Sequence, residues 1–153
     1  MKLPIGTMYD GDIMWYVKKL KIPFFLGVKM RDELDESAKH SRECGILNLN
    51  THLQPGSHWT CWYKDGMQRY YFDSFGEPPP RELLFYLKTV DELSNDLPAI
   101  KCNAVTVQHD ESNECGSLCL YTLKQLANGI PFSTIITSLE ERYLKNTPLK
   151  LQI

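Results

Sequence analysis

Several kinds of feature are scarce or missing in this 153-residue chain, and each absence narrows what it can be. There is no run of the roughly 18–20 apolar residues that a membrane span needs. The opening MKLPIGTMYDGD has no apolar core, so no secretory signal is expected and the chain is not expected to be secreted. Neither sign of charge dominates: 17 Lys and Arg against 19 Asp and Glu leave a net charge of −2, too little to draw the chain to nucleic acid. Cysteine occurs five times, an odd count without a CxxC pair. That pattern fits a reducing compartment better than a disulfide framework and lacks the paired spacing of a zinc site. Repeats, low-complexity stretches and linkers are also missing, so residues 1–153 read as one domain with room for a sizeable core.

What is present centres on QHDESNECGSLCLYTLKQL, Gln108 to Leu126. A polar loop leads to Glu114-Cys115-Gly116, and a helical apolar pattern then begins with Leu118, Leu120, Tyr121, Leu123 and Leu126. Cys115 therefore falls at a helix N-terminus, where unpaired N–H groups and the dipole favour an anion. A thiol placed there has a lowered pKa and carries more of the nucleophilic thiolate. Gly116 would let a substrate or a neighbouring backbone come close.

A thiolate nucleophile needs a base, and the base needs an orienting group. Histidine is scarce, with only His40, His52, His58 and His109 to choose from. His58 follows the turn Pro55-Gly56-Ser57 and opens an aromatic run. Trp59 to Tyr63 reads as a strand, Asp65-Gly66 as a hairpin turn and Gln68 to Phe72 as the returning strand. That hairpin carries His58 to the region of Asp73, at one end of a sheet.

The remaining elements follow in order. Residues 7–20 read as a helix, with Thr7 and Asp10 as a weak capping box and Ile13, Met14, Trp15, Val17 and Leu20 as its apolar face. Phe24 to Val28 is a short strand, residues 30–42 a solvated loop or short helix, and Cys44 to Leu49 a buried strand. A helix from Arg81 to about Leu93 uses Leu83, Leu84, Tyr86, Leu87 and Val90. Ile100 to Val107 reads as a strand with Cys102 in its core. Asn128-Gly129 caps the Cys115 helix. A final helix, Pro131 to Leu144, turns Ile135, Ile136, Leu139 and Tyr143 inward and Glu140, Glu141 and Arg142 outward. The fold class expected is α+β: a central mixed, largely antiparallel sheet flanked by helices, with the nucleophile on a helix packed against the sheet.

His58-Trp59, then YYFDSFG, then Gln108 seven residues before Cys115-Gly116 resembles the adenain-type cysteine proteases. These are the adenovirus maturation proteases and their relatives in other viruses and virus-like mobile elements, in a clan shared with the SUMO and ubiquitin-like protein proteases. LKIPFFLGVKMRDEL and ECGILNL are similar to the small members of that group. The resemblance covers roughly residues 40–130. It implies that Cys115 is the nucleophile, His58 the general base, Asp73 the orienting carboxylate and Gln108 the oxyanion-hole side chain, with the Cys115 N–H as second donor. It implies protein or peptide substrates, viral or virus-like structural precursors cut at small residues, often glycine, beside Trp59. Substrate contact is also expected of Gly116 and Glu114. The implied setting is the virion and the host cell interior, the nucleus included. No cofactor is expected. Adenovirus members use an activating peptide, bound through a cysteine in the region of Cys102, and DNA; the chain is shorter than theirs, and its net charge gives DNA no support.

Plainer readings compete. Cys115 alone would be a small buried residue, His58 a sheet-edge histidine and Asp73 a turn-forming residue. Glu114 either raises the thiol pKa by repulsion or merely favours the helix N-terminus. Cys119 shares a helical face with Cys115 and reads as core. His109 and Asp110 read as loop residues bordering the site. At the level of the whole chain, the alternatives are a deconjugating protease for SUMO- or ubiquitin-like proteins, an acyl transferase, and a catalytically silent binding module of the same fold.

Overall fold

The computed structural model describes residues 1–50, 58–88 and 99–151. Five strands form one sheet in the order β1 (Phe25–Met30), β2 (Arg42–Asn48), β3 (Trp59–Asp65), β4 (Gln68–Phe72) and β5 (Lys101–Cys102). The long central ladders, β2–β3 and β3–β4, are antiparallel, whereas the edge strands β1 and β5 pair in parallel. The helices are α1 (Asp10–Leu20), α2 (Arg81–Leu87), α3 (Cys115–Ala127) and α4 (Phe132–Lys145). The expected α+β architecture is what is found.

Strand alternation sends side chains to two cores, one on each face of the sheet. Cys44, Ile46, Cys61, Tyr63 and Phe72 meet Ile13, Val17 and Leu20 of α1, Leu118, Leu120 and Leu123 of α3, and Ile135 and Leu139 of α4. On the opposite face Leu47, Trp62 and Tyr71 pack with Leu83, Tyr86 and Leu87 of α2. Gly45 is what admits Trp62: a Cβ there would lie 2.2 Å from the indole Cη2. The hairpin turns through Gly66-Met67, between the paired residues Asp65 and Gln68, with Gly66 at φ 61° as a tight loop requires.

Several expectations need correction. The first helix starts at Asp10: Tyr9 is extended, and the Met8 carbonyl before it accepts the Trp59 indole N–H (2.9 Å). Its cap is the Asp12 carboxylate, which accepts the Tyr9 N–H (2.9 Å), and not Thr7 with Asp10. Met14 and Trp15 are exposed. The helix at Arg81 closes at Leu87, where the Lys88 N–H bonds back to the Phe85 carbonyl and the chain turns extended. Only Lys101–Cys102 of the expected 100–107 strand forms a ladder, and Cys102 is exposed. Past it, the side chain of Asn103 takes over the pairing: its amide donates to the Asp73 carbonyl (2.6 Å), and its oxygen accepts the Asp73 N–H (3.2 Å). Arg142 faces inward, to Glu114. The tail docks: Leu149 and Leu151 are buried, and their backbones bond to Leu3 and Met1. The turn at 55–57, the span 89–93 with Val90 and the last two residues lie outside the described residues.

Candidate active site

Three separate stretches converge on the end of the sheet where β3 begins and β4 ends. α3 lies along β3, and the Cys119 thiol donates to the Trp59 carbonyl (3.4 Å). Cys115 is one turn nearer the helix N-terminus on the same face, which sets it beside His58. The hairpin does the rest. It returns the chain at Phe72, opposite Cys61, so Asp73 comes level with the start of β3.

His58 Nε2 donates to Asp73 Oδ1 at 2.7 Å. With Nε2 engaged, Nδ1 is the nitrogen left for Cys115, which lines the same cleft as His58. Asp73 is nearly fully buried, and its Oδ1 also accepts the Phe75 N–H (2.9 Å). The turn-forming reading of Asp73 is compatible with the contact to His58: the same carboxylate closes an Asx turn and meets the imidazole. Phe75 then lays its ring against His58, centroids 4.9 Å apart.

The electrostatics favour an ion pair. Burial is the largest influence on His58 and opposes its charge, but the hydrogen bonds to Asp73 and Cys115 and their negative charge outweigh it, lifting the pKa to about 9. Burial likewise opposes a Cys115 thiolate. Hydrogen bonds from His58 and from the backbone at Trp59 and Gly116, with the charge of His58, carry that thiol below its ordinary value. Burial pushes Cys44, Cys102 and Cys119 the other way. Cys115 is thus distinguished by its surroundings.

Gln108 is buried and held at both ends of its amide. Ser74 Oγ donates to its Oε1, and its Nε2 donates to the Ser112 carbonyl (2.7 Å). One amide hydrogen is used in this way, and Gln108 lines the same cleft as Cys115. Gln108, His58, Trp59 and Cys115 all line a cleft of about 650 Å³. Its walls come from Thr7–Asp10, from Val28–Met30 with Glu33, and from the loop carrying Asp110, Ser112 and Asn113.

Of the four side chains expected to do chemistry, His58, Gln108 and Cys115 line one cleft with Trp59, and the buried Asp73 joins them through its bond to His58. The other two expected contacts lie elsewhere. Gly116 faces Met8, whose Sδ would be 3.0 Å from an added Cβ, so its missing side chain accommodates this chain's own N-terminal segment. Glu114 turns to Arg142 Nη2 (2.6 Å). His109 stacks on Tyr143 with centroids 4.3 Å apart, while Asp110 reaches the cleft. Ser74, Phe75, Asn103 and Ser112 went unassigned in the sequence. Asn103 alone carried a signal, a strand-averse residue inside an apolar run. Among the described residues no group of His, Cys, Asp and Glu side chains is arranged to hold a metal.

No protein-family description matches the sequence, and no curated protein does. Solved structures do. The ASFV pS273R protease is similar over 90% of this chain and 66% of its own, with a TM-score of 0.55 and 15% identity. A selenomethionine form of the same protease aligns over 67% of this chain and 43% of its own, with a TM-score of 0.45 and 19% identity. The likeness is one of fold. This chain spans less than two thirds of the length of that protease.

Proposed function

We propose that this chain is a cysteine endopeptidase working through a Cys115–His58–Asp73 triad with Gln108 at the oxyanion hole. The observation that carries the reading is that three distant stretches bring Cys115, His58 and Gln108 to one open cleft, with Asp73 bonded to His58 and the thiol pushed toward thiolate. A protease neighbour of the same fold supports it. The Cys115 thiolate attacks the scissile carbonyl carbon, and its oxyanion is met by the Gln108 amide and the Cys115 N–H. Charged His58 gives its proton to the leaving amine, which departs and leaves a thioester. His58 then takes a proton from water, the hydroxide attacks the thioester, and the acid product leaves as the thiolate is restored. Asp73 holds the imidazole throughout. The four side chains and one backbone N–H fill every role, so the reaction as proposed draws on no cofactor.

The substrate we propose is a structural precursor of a virus or virus-like element, cut at small residues or glycine inside the virion or host cell. The order of the motif and its likeness to the adenain-type enzymes support this. The test is hydrolysis of a panel of glycine-containing precursor-type peptides alongside ubiquitin-like carboxy-terminal probes. Cleavage of the peptides, abolished by Cys115→Ala, is expected. Turnover of the ubiquitin-like probes alone would overturn the substrate, and no turnover of either would overturn the enzyme.

A further inference from the structure

The residue just before the nucleophile is a carboxylate, and its treatment by the fold is not explained by the triad. Glu114 sits at the N-cap of α3. A free carboxylate there would itself be the anion that the positive helix terminus attracts, in competition with the Cys115 thiolate one residue on. Like charge beside a thiol also disfavours its ionisation. The structure answers with Arg142 on α4, 28 residues away in sequence, whose Nη2 donates to Glu114 Oε2 at 2.6 Å. Both side chains are largely buried, at 15% and 16% exposure, so solvent screens this pair less than a surface one. The Glu114 contact is made through Nη2, while the Arg142 Nε is buried without a hydrogen-bond partner among the described residues.

We infer that Arg142 is a positioning residue for the proposed nucleophile, acting through Glu114 by cancelling its charge and clamping the first turn of α3 to α4. This rests on the protease reading above. Other titratable groups around Cys115 are His58, which is bonded to Asp73 on the hairpin, Cys119 on its own helix with Cys61 beside it, and Asp10, Lys29, Glu33 and Asp110 on the walls of the shared cleft. Among these described groups none is bonded to Glu114, so none takes the place of Arg142 there.

The experiment is the pH profile of Cys115 alkylation, mapped by mass spectrometry, in the wild-type chain and in Arg142→Gln, Arg142→Lys and the double variant Glu114→Gln/Arg142→Gln. Thermal melting of each confirms that the chain is folded. In Arg142→Gln the acid limb should move up by about one pH unit, roughly a tenfold loss of rate on that limb. Arg142→Lys, which keeps the charge, and the double variant, which removes both charges, should return most of it. A merely structural pair would give the opposite order, with the double variant no better than the single. An unshifted limb in folded Arg142→Gln, or a double variant that stays shifted, would overturn the inference while leaving the protease reading intact. A wild-type Cys115 no faster than the other cysteines would overturn both.

Discussion

At the scale of single residues, the site depends on how few atoms are free to move. Gln108 would be a poor oxyanion donor if its amide could flip, and Ser74 and Ser112 fix which end is nitrogen. Gln108→Ala should lower kcat about 10²–10³-fold, the usual cost of losing one such donor. Ser74→Ala should cost about tenfold, in kcat and not in KM, because it loosens the donor without removing it. Steady-state kinetics on a cleaved peptide would check both. His58 makes a second prediction, in pH. Its raised pKa means that its contribution to stability is fully present below its ordinary value of 6.5 and is lost as pH rises through about 9. Activity should fall over the same alkaline limb, as the imidazolium proposed to protonate the leaving amine disappears. A kcat profile still rising past pH 10 would contradict that role.

At the scale of elements, the central hairpin was the most legible part of the chain, because strand alternation and a Gly turn both marked it. From it His58 and Asp73 could be paired before any coordinates. Legibility failed where side chains replace backbone ladders. Asn103 does the work of a strand residue with its amide, so the apolar run 100–107 suggested a longer strand than exists. It fails again at α1, where amphipathic periodicity runs through Met14 and Trp15 although the core takes up Ile13, Val17 and Leu20, with Tyr16 packed against it. Arg142 was read as outward because its partner, Glu114, lies on another helix. Gly45 shows the same limit: nothing local says that an indole lies across it. Gly45→Ala should therefore destabilise the chain by about 1–3 kcal/mol through overpacking against Trp62, read as a lowered urea midpoint.

At the scale of the whole molecule, the sheet separates two cores, and the proposed site sits where the N-terminal segment crosses the first turn of α3. Ser117 Oγ donates to the Pro4 carbonyl (2.6 Å), and Trp59 holds Met8. The same N-terminal stretch is anchored by the docked tail through Leu3 and Leu149. Leu149→Ala should cost about 2–4 kcal/mol in urea unfolding, since it empties a fully enclosed position. The central claim, that this fold turns one ordinary cysteine into a nucleophile, is tested most directly by competitive alkylation at pH 6 of the native chain, of the urea-unfolded chain and of native His58→Ala. Cys115 should outpace Cys44, Cys61, Cys102 and Cys119 by at least about tenfold in the native chain, and lose that lead on unfolding or without His58. Equal labelling of Cys115 and exposed Cys102 in the native chain, or a lead that survives His58→Ala, would contradict it.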